Sequence, residues 1–484
     1  MTFGITGFGA YIPRLRIERA AIAAANAWMV PGLKAQAKGV RAFCGWDEDA
    51  VTMAVEAARD CLAGRRRDQI NAAWLASTTL PYSDLSNSSL VAGALGLART
   101  ISALDLAGSE RAGTSALALA LESRTENVLL IASERPRAKP ASSQELAFGA
   151  GAAALTLGTS DVIAKFLGKA RKSAPFVDHV RAADAPYPQY WEERWIREAG
   201  YGALVPPVVD AALSSASLAM GDITHLVMPS PLKGASATLA KSLGFTGSVA
   251  GGLEDGCGYT GAAHGLLMLA DVLGRAKPGE KILLVGFAQG VEAIIFEATG
   301  EIETRSAGRG VSGAMSQGQT TDSYMRFLSF YGEVQPEWGM RSEKSERASL
   351  SAHYRVAEQL AGFFAGACEA CGTVQFPRLA YCVNPSCGAP SSQFSDHPLT
   401  EEEAQVLTVT TDWLSFTPAP PLHVGFVQFK SGARLLMEMV DVGAASPQPG
   451  MPLRLVFRIK ERDKVRGFNR YFWKAAPATI TREH

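Results

Sequence analysis

At 484 residues the chain is too long for one hydrophobic core, so about two to four domains are expected. Lys+Arg and Asp+Glu each total 47, so no global field favours nucleic acid or an anionic membrane. No apolar run approaches the roughly 18 residues that span a bilayer. The opening MTFGITGFGAYIP has no basic segment followed by an apolar one, as a secretion signal would. A cytoplasmic protein is expected, binding neither nucleic acid nor membrane.

The first ~315 residues alternate short apolar strands with Ala-rich helices, the pattern of a layered α/β domain. Residues 73–77 (AWLAS) and 127–132 (NVLLIA) read as strands, with a buried helix over 110–121 between them. The same order recurs with strands at 225–228 (HLVM) and 281–286 (KILLVG) around a helix at 259–273. Leu75 to Val227 is an offset of 152 and Leu129 to Leu283 one of 154, which points to an internal duplication. Residues 175–205 interrupt the second half with aromatics and arginines. A surface excursion packed on a partner subunit is preferred there over a lid or substrate wall. The polar, Gly/Ser-rich run 302–322 reads as a linker, followed by helix to about 360.

Cys368, Cys371, Cys382 and Cys387 form two close pairs joined by a short spacer. Four thiolates so spaced suit one tetrahedral ion, and a closed four-Cys site predicts structural Zn2+. Cys44, Cys61 and Cys257 remain, an odd set without paired spacing, which argues against a disulfide framework. Beyond residue 400, VLTVTTDWLSF, VGFVQFKSG, ARLLMEMVDV, PLRLVFRIK and NRYFWKAAP read as five strands of a small barrel such as an OB-fold. No basic–aromatic stripe accompanies them, so nucleic-acid binding is not expected.

GITGFGAYIPRLRI, WDEDAVTMAVEAA, RAGTSAL and PGEKILLVGFAQG resemble the thiolase superfamily, nearest its hydroxymethylglutaryl-CoA synthase and type III ketoacyl-ACP synthase branch. GACEACGTVQFPRLAYC and the following strands resemble the zinc-ribbon/OB-fold proteins that accompany thiolase-like enzymes. The resemblance implies a fold class of α/β: a duplicated thiolase-like α/β/α/β/α core, then a zinc ribbon and a small OB-like β-barrel. The expected domains are 1–170 and 171–315 for the two thiolase-like halves, 316–360 for a helical linker, 361–395 for the ribbon and 396–478 for the barrel. It also implies a homodimer through the core, and a separate thiolase is a further candidate partner.

The branch carries an acyl-accepting cysteine at the start of a buried helix, where backbone amides acidify the thiol. This chain has Glu110 there, in Glu110-Arg111-Ala112-Gly113-Thr114. The family histidine loop reads Pro229-Ser230-Pro231, and an ungapped match puts Tyr259 at the family asparagine, where a one-turn shift would put Cys257. The family's glutamate base falls in the segment 77–81, which has no acid. Glu110 and Tyr259 are 149 residues apart, close to the repeat offset, so both should face one central cleft. With His264 they could supply base, acid and oxyanion donor for aldol chemistry. His264 is equally readable as a core histidine. Cys257, before a Gly-Tyr-Thr-Gly turn, is a candidate relocated nucleophile or a small buried residue. The leading reading is an enzyme that makes or breaks a C–C bond of a coenzyme A thioester by aldol or retro-aldol chemistry, without a cysteine acyl-enzyme. The alternatives are a hydroxymethylglutaryl-CoA-synthase-like acyltransferase and a non-catalytic scaffold for a thiolase.

Overall fold

The computed structural model describes residues 2–251, 253–304, 308–342, 347, 349–443 and 446–478. It divides into two compact units: residues 1–45, 49–91 and 98–334, and residues 46–48, 92–97 and 335–484.

The first unit is built on ten strands. The first half contributes β1 (Gly4–Tyr11), β2 (Ala72–Ala76), β3 (Ser102–Leu106), β4 (Val128–Glu134) and β5 (Gly151–Gly158). The second contributes β6 (Ala164–Ser173), β7 (His225–Val227), β8 (Ser248–Val249), β9 (Lys281–Phe287) and β10 (Gly290–Ala298). The sheet order is β8-β7-β9-β10-β6-β1-β5-β4-β2-β3. Within each half, the second strand runs parallel to the third and fourth, and the fifth is antiparallel to the fourth and first. The halves therefore share one topology, as a duplication requires. They join where Gly4 and Ile5 pair with Lys165 and Ala164.

β4 and β9 are near-continuous apolar runs because both their faces are covered. Four helices cover them: α1 (Ala50–Cys61), α2 (Ala112–Ser123), α3 (Ala203–Ala216) and α4 (His264–Leu273). An Asp49–Thr52 capping box starts α1, which packs on the first half-sheet. α3 packs on the second. α2 and α4 touch strands of both halves and each other, which gives the α/β/α/β/α layering. Buried Ala and Leu dominate α2 and α4, as a central layer demands. Gly113 permits the close approach: a Cβ there would lie 2.3 Å from the Ala262 carbonyl oxygen.

The helical linker expected over 316–360 is corrected. Gln319–Thr321 pairs with Leu15–Glu18, and helix Tyr324–Tyr331 packs into the first unit. Phe327 meets Phe43 edge-on at 5.4 Å, and the Arg41 guanidinium lies 4.8 Å over its ring. Leu350–Arg355 and Ala357–Leu360 are short helices of the second unit. Residues 305–307, 343–346 and 348 of the expected linkers, and 444–445 of the expected barrel, lie outside the described residues.

In the second unit Phe364–Cys368 pairs with Val374–Gln375 and Phe394–Pro398. The barrel strands are Leu422–Phe429, Arg434–Met439, Phe468–Pro477, Pro452–Asp463 and Ala404–Val406, and the last returns to the first to close it. The strand expected over 406–416 is broken in two; its later part, Thr410–Asp412, only flanks Leu422–Phe429. Residues 46–48 belong to this unit. Asp47 takes an ion pair from the buried Lys474 at 3.0 Å, and Glu48 one from Arg458 at 3.2 Å.

Candidate functional site

Glu110 lies in the turn before α2, its side chain 14% exposed. The Tyr190 hydroxyl donates to one carboxylate oxygen at 2.9 Å and the Tyr259 hydroxyl to the other at 3.1 Å. The expected meeting of Glu110 and Tyr259 is thus present. Tyr259 does not open the second central helix, however; a 3-10 turn, Gly261–Ala263, intervenes before α4. Its backbone is clamped instead: its amide donates to the Ala147 carbonyl and its carbonyl accepts from Gly149.

The excursion at 175–205 lies against Glu110, as the lid-or-wall reading expects. His179–Val180 and Gln189–Tyr190 form a short antiparallel ribbon. It sets His179 Nε2 3.6 Å from Glu110 and His179 Nδ1 3.1 Å from Asp178. The His179 ring stacks on Tyr190 at 5.1 Å. The loop after β9 completes the support: Gln289 donates to Asp178, and the Ser109 hydroxyl donates to Gln289 at 3.0 Å.

Burial lowers the His179 pKa, but the charges of Glu110 and Asp178 outweigh it and raise it to about 9. The ring is therefore an imidazolium at neutral pH. Burial, reinforced by Glu110, pushes the Tyr190 and Tyr259 phenols well above their ordinary value, so both remain donors. Burial also pushes the Glu134 carboxyl up to about 7, and the nearby Glu110 charge adds to the rise. Glu134 ends β4 and accepts from the Thr78 amide at 3.0 Å and hydroxyl at 3.2 Å. The acid missing from segment 77–81 is thus supplied to it by the neighbouring strand.

The other sequence candidates fall outside this cluster. His264 is fully buried; its Nδ1 accepts from the Thr260 amide at 3.2 Å, which leaves Nε2 to donate to Glu254 at 3.1 Å. Its ring contacts Tyr259 at 5.0 Å. Cys257 is fully buried and burial pushes its thiol up to about 12. A thiol held so is un-ionised at neutral pH, which weakens it as a nucleophile. Arg111, next to Glu110, is not one of the catalytic candidates from the sequence; it turns inward, to Glu292 at 3.1 Å and Ser115 at 2.8 Å. His179, Asp178, Tyr190 and Glu134 were not singled out from the sequence. The visible signals were a charge ending the apolar run VLLIASE and the aromatic–acid density around residue 180.

In the ribbon the four cysteine sulfurs lie within 4.8 Å of one another. Cys368–Cys387 and Cys371–Cys382 are separated by 3.8 and 3.6 Å. A tetrahedral zinc with bonds of about 2.3 Å sets its sulfurs about 3.8 Å apart, so this donor set fits the ion.

Residues 362–392 match the family described as ChsH2, rubredoxin-like zinc ribbon domain. The hydroxymethylglutaryl-CoA synthase of Caldivirga maquilingensis is 29% identical over 68% of this chain and 97% of its own length. That of Aeropyrum pernix is 32% identical over 59% of this chain and 82% of its own. Among solved structures, MvaS in complex with 3-hydroxy-3-methylglutaryl coenzyme A superposes with a TM-score of 0.61 at 16% identity, covering 72% of this chain and 97% of that one. The 3-oxoacyl-(acyl carrier protein) synthase III of Pseudomonas aeruginosa gives 0.55 at 21% identity, covering 62% and 99%. The two structural likenesses establish the thiolase-like fold. Sequence identity across most of the relatives' length carries the assignment further: this chain belongs to the hydroxymethylglutaryl-CoA synthase family, with a zinc ribbon and a closed barrel added behind the core.

Proposed function

We propose that the chain acts on coenzyme A thioesters and makes or breaks a carbon–carbon bond by proton transfer at Glu110. The observation that carries the reading is one carboxylate held by two phenols and faced by an imidazolium. In the condensing direction the Glu110 carboxylate takes a proton from the α-carbon of the acyl thioester. The resulting enolate attacks the carbonyl carbon of a second substrate. The C–C bond forms, and His179 gives its proton to the alkoxide that develops. Glu110 then returns its proton to solvent and His179 recovers one. The reverse sequence is a retro-aldol cleavage. Glu134, with a pKa near neutrality, suits a proton reservoir beside the pair.

The relatives' names favour the alternative, a hydroxymethylglutaryl-CoA-synthase-like acyltransferase, over the adduct-free aldol reading, and condensation over cleavage. A cysteine acyl-enzyme has no support from Glu110 or from Cys257 as placed here. The homodimer belongs to the same proposal: β3 is the end strand of the sheet among the described residues, and an end strand can pair with a second copy. No described helix is long and apolar enough to cross a membrane. A four-cysteine set suited to zinc is commoner in reducing compartments, which supports a cytoplasmic location. A separate thiolase remains a candidate partner.

The test is incubation with a panel of acyl-CoA thioesters, alone and with carbonyl co-substrates, followed by intact-protein and product mass spectrometry. Condensed or cleaved products without a protein adduct support the reading. An acyl adduct on the protein refutes the adduct-free mechanism. No product with any pair leaves the scaffold reading in its place.

A further inference from the structure

The ribbon that brings His179 and Tyr190 to Glu110 is only two residues per strand. A ribbon that short does not hold itself in water. Its exposed connection, 181–188, is tied down at two points. Arg181 donates to the Thr78 carbonyl at the start, and the Tyr187 hydroxyl donates to the Glu333 carboxylate near the end.

Glu333 is well placed for this. It follows the αL residue Gly332, which terminates helix Tyr324–Tyr331, and its amide donates to the Leu328 carbonyl at 2.9 Å. The helix is fixed to the core through Phe327 on Phe43, Arg135 over the Tyr331 ring at 4.3 Å and Tyr324 on Glu145 at 2.9 Å. The Glu333 side chain is 9% exposed and pairs with Arg137 at 2.7 Å. The Arg137 guanidinium in turn lies 5.4 Å from the Tyr187 ring centroid. Tyr187, Glu333 and Arg137 thus form a closed triangle between the loop, the end of an anchored helix and the core.

We propose that Glu333 and Tyr187 are positioning residues, a latch that holds the 178–190 hairpin against Glu110. Neither reaches Glu110; both act through the hairpin they restrain. The inference rests on the Glu110-centred reading for its catalytic consequence, but the latch can be observed without turnover.

The experiment compares full-length Tyr187→Phe, Glu333→Gln and the double variant with the parent. Tryptic cleavage after Arg181 and the NMR titration of His179 are followed in each. Both single variants are expected to speed cleavage about tenfold. They are also expected to bring His179 from about 9 toward the ordinary histidine range, because the ring leaves Glu110. The double variant should be no worse than the worse single one. With any thioester the parent turns over, kcat should fall about 10- to 100-fold with little change in KM. Unchanged cleavage and titration in both single variants overturn the latch, as does a double variant whose effects are the sum of the singles. Failure to find a substrate would count against the proposed function and leave the cleavage and titration results standing.

Discussion

Replacing Glu110 by Gln keeps the volume and a hydrogen-bonding oxygen but removes the charge facing His179. The magnitude follows from the geometry. At 3.6 Å and an effective dielectric constant of about 20, the Glu110–imidazolium attraction is worth about 4–5 kcal/mol. Each pKa unit is about 1.4 kcal/mol, so losing that charge removes more than two units of support. Asp178, 3.1 Å away on the other side, remains, and burial continues to oppose the charge. His179 should therefore titrate near 9 in the parent and at least about two units lower in Glu110→Gln. Seven histidines make the ring resonances of histidine-labelled protein resolvable, and His179→Gln assigns the signal. The linkage gives a second readout. The folded pKa is raised above the ordinary 6.5, so the stabilisation is full below pH 6.5 and is lost as pH rises through 9. It amounts to about 3 kcal/mol in the parent, and Glu110→Gln should flatten that part of the pH–stability curve. A His179 that titrates near 9 in both proteins would refute the assigned pairing.

Turnover in Glu110→Gln, with whichever thioester the parent uses, should fall by about 100-fold or more while the variant stays folded; an activity within twofold of the parent removes Glu110 from the chemistry. Cys257→Ala should keep kcat within a factor of about two, since the thiol is buried and un-ionised; loss of turnover in a folded Cys257→Ala would restore it as a candidate. Chelation of zinc should unfold the ribbon and leave the first unit folded, seen as loss of a separate calorimetric transition; a thermogram indifferent to chelator contradicts structural zinc. Gly113→Val places side-chain atoms where a Cβ already lies 2.3 Å from the Ala262 oxygen, and should destabilise the core by about 3 kcal/mol or more; a denaturation midpoint matching the parent's would show that the central helices can separate.

The layered core was legible because its strands carry the signal sequence reading depends on. VLLIASE and KILLVGF are short apolar runs, buried on both faces, at a repeated spacing. The zinc set was legible from spacing alone. The Glu110–Tyr259 pairing was accessible because it follows from the duplication. The rest of the site was not, for physical reasons. Strands of two residues, as at His179–Val180, have no period to detect, and tertiary contacts alone hold them. Tyr190 reads like any surface aromatic until the ribbon turns it inward. Glu134 looks like the polar end of a strand, and nothing local says that its oxygens meet Thr78, 56 residues earlier. Residues 324–331 read as linker because they follow a polar run, although YMRFLSFY buries Phe327, Leu328, Phe330 and Tyr331.

The two phenols on Glu110 are held in unlike ways, and this bears on how such a site changes over generations. Tyr259 is fixed by main-chain bonds on both sides, so a change in its side chain leaves its location intact. Tyr190 stands on a ribbon whose connecting loop is exposed and whose attachments are side chains. Insertions and substitutions in that loop do not disturb the buried layers. The reacting group and one donor are thus inherited with the fold. The opposite wall carries His179 and the Tyr187–Glu333 attachment, so acyl preference can diversify among descendants through that loop only where His179 keeps its place beside Glu110.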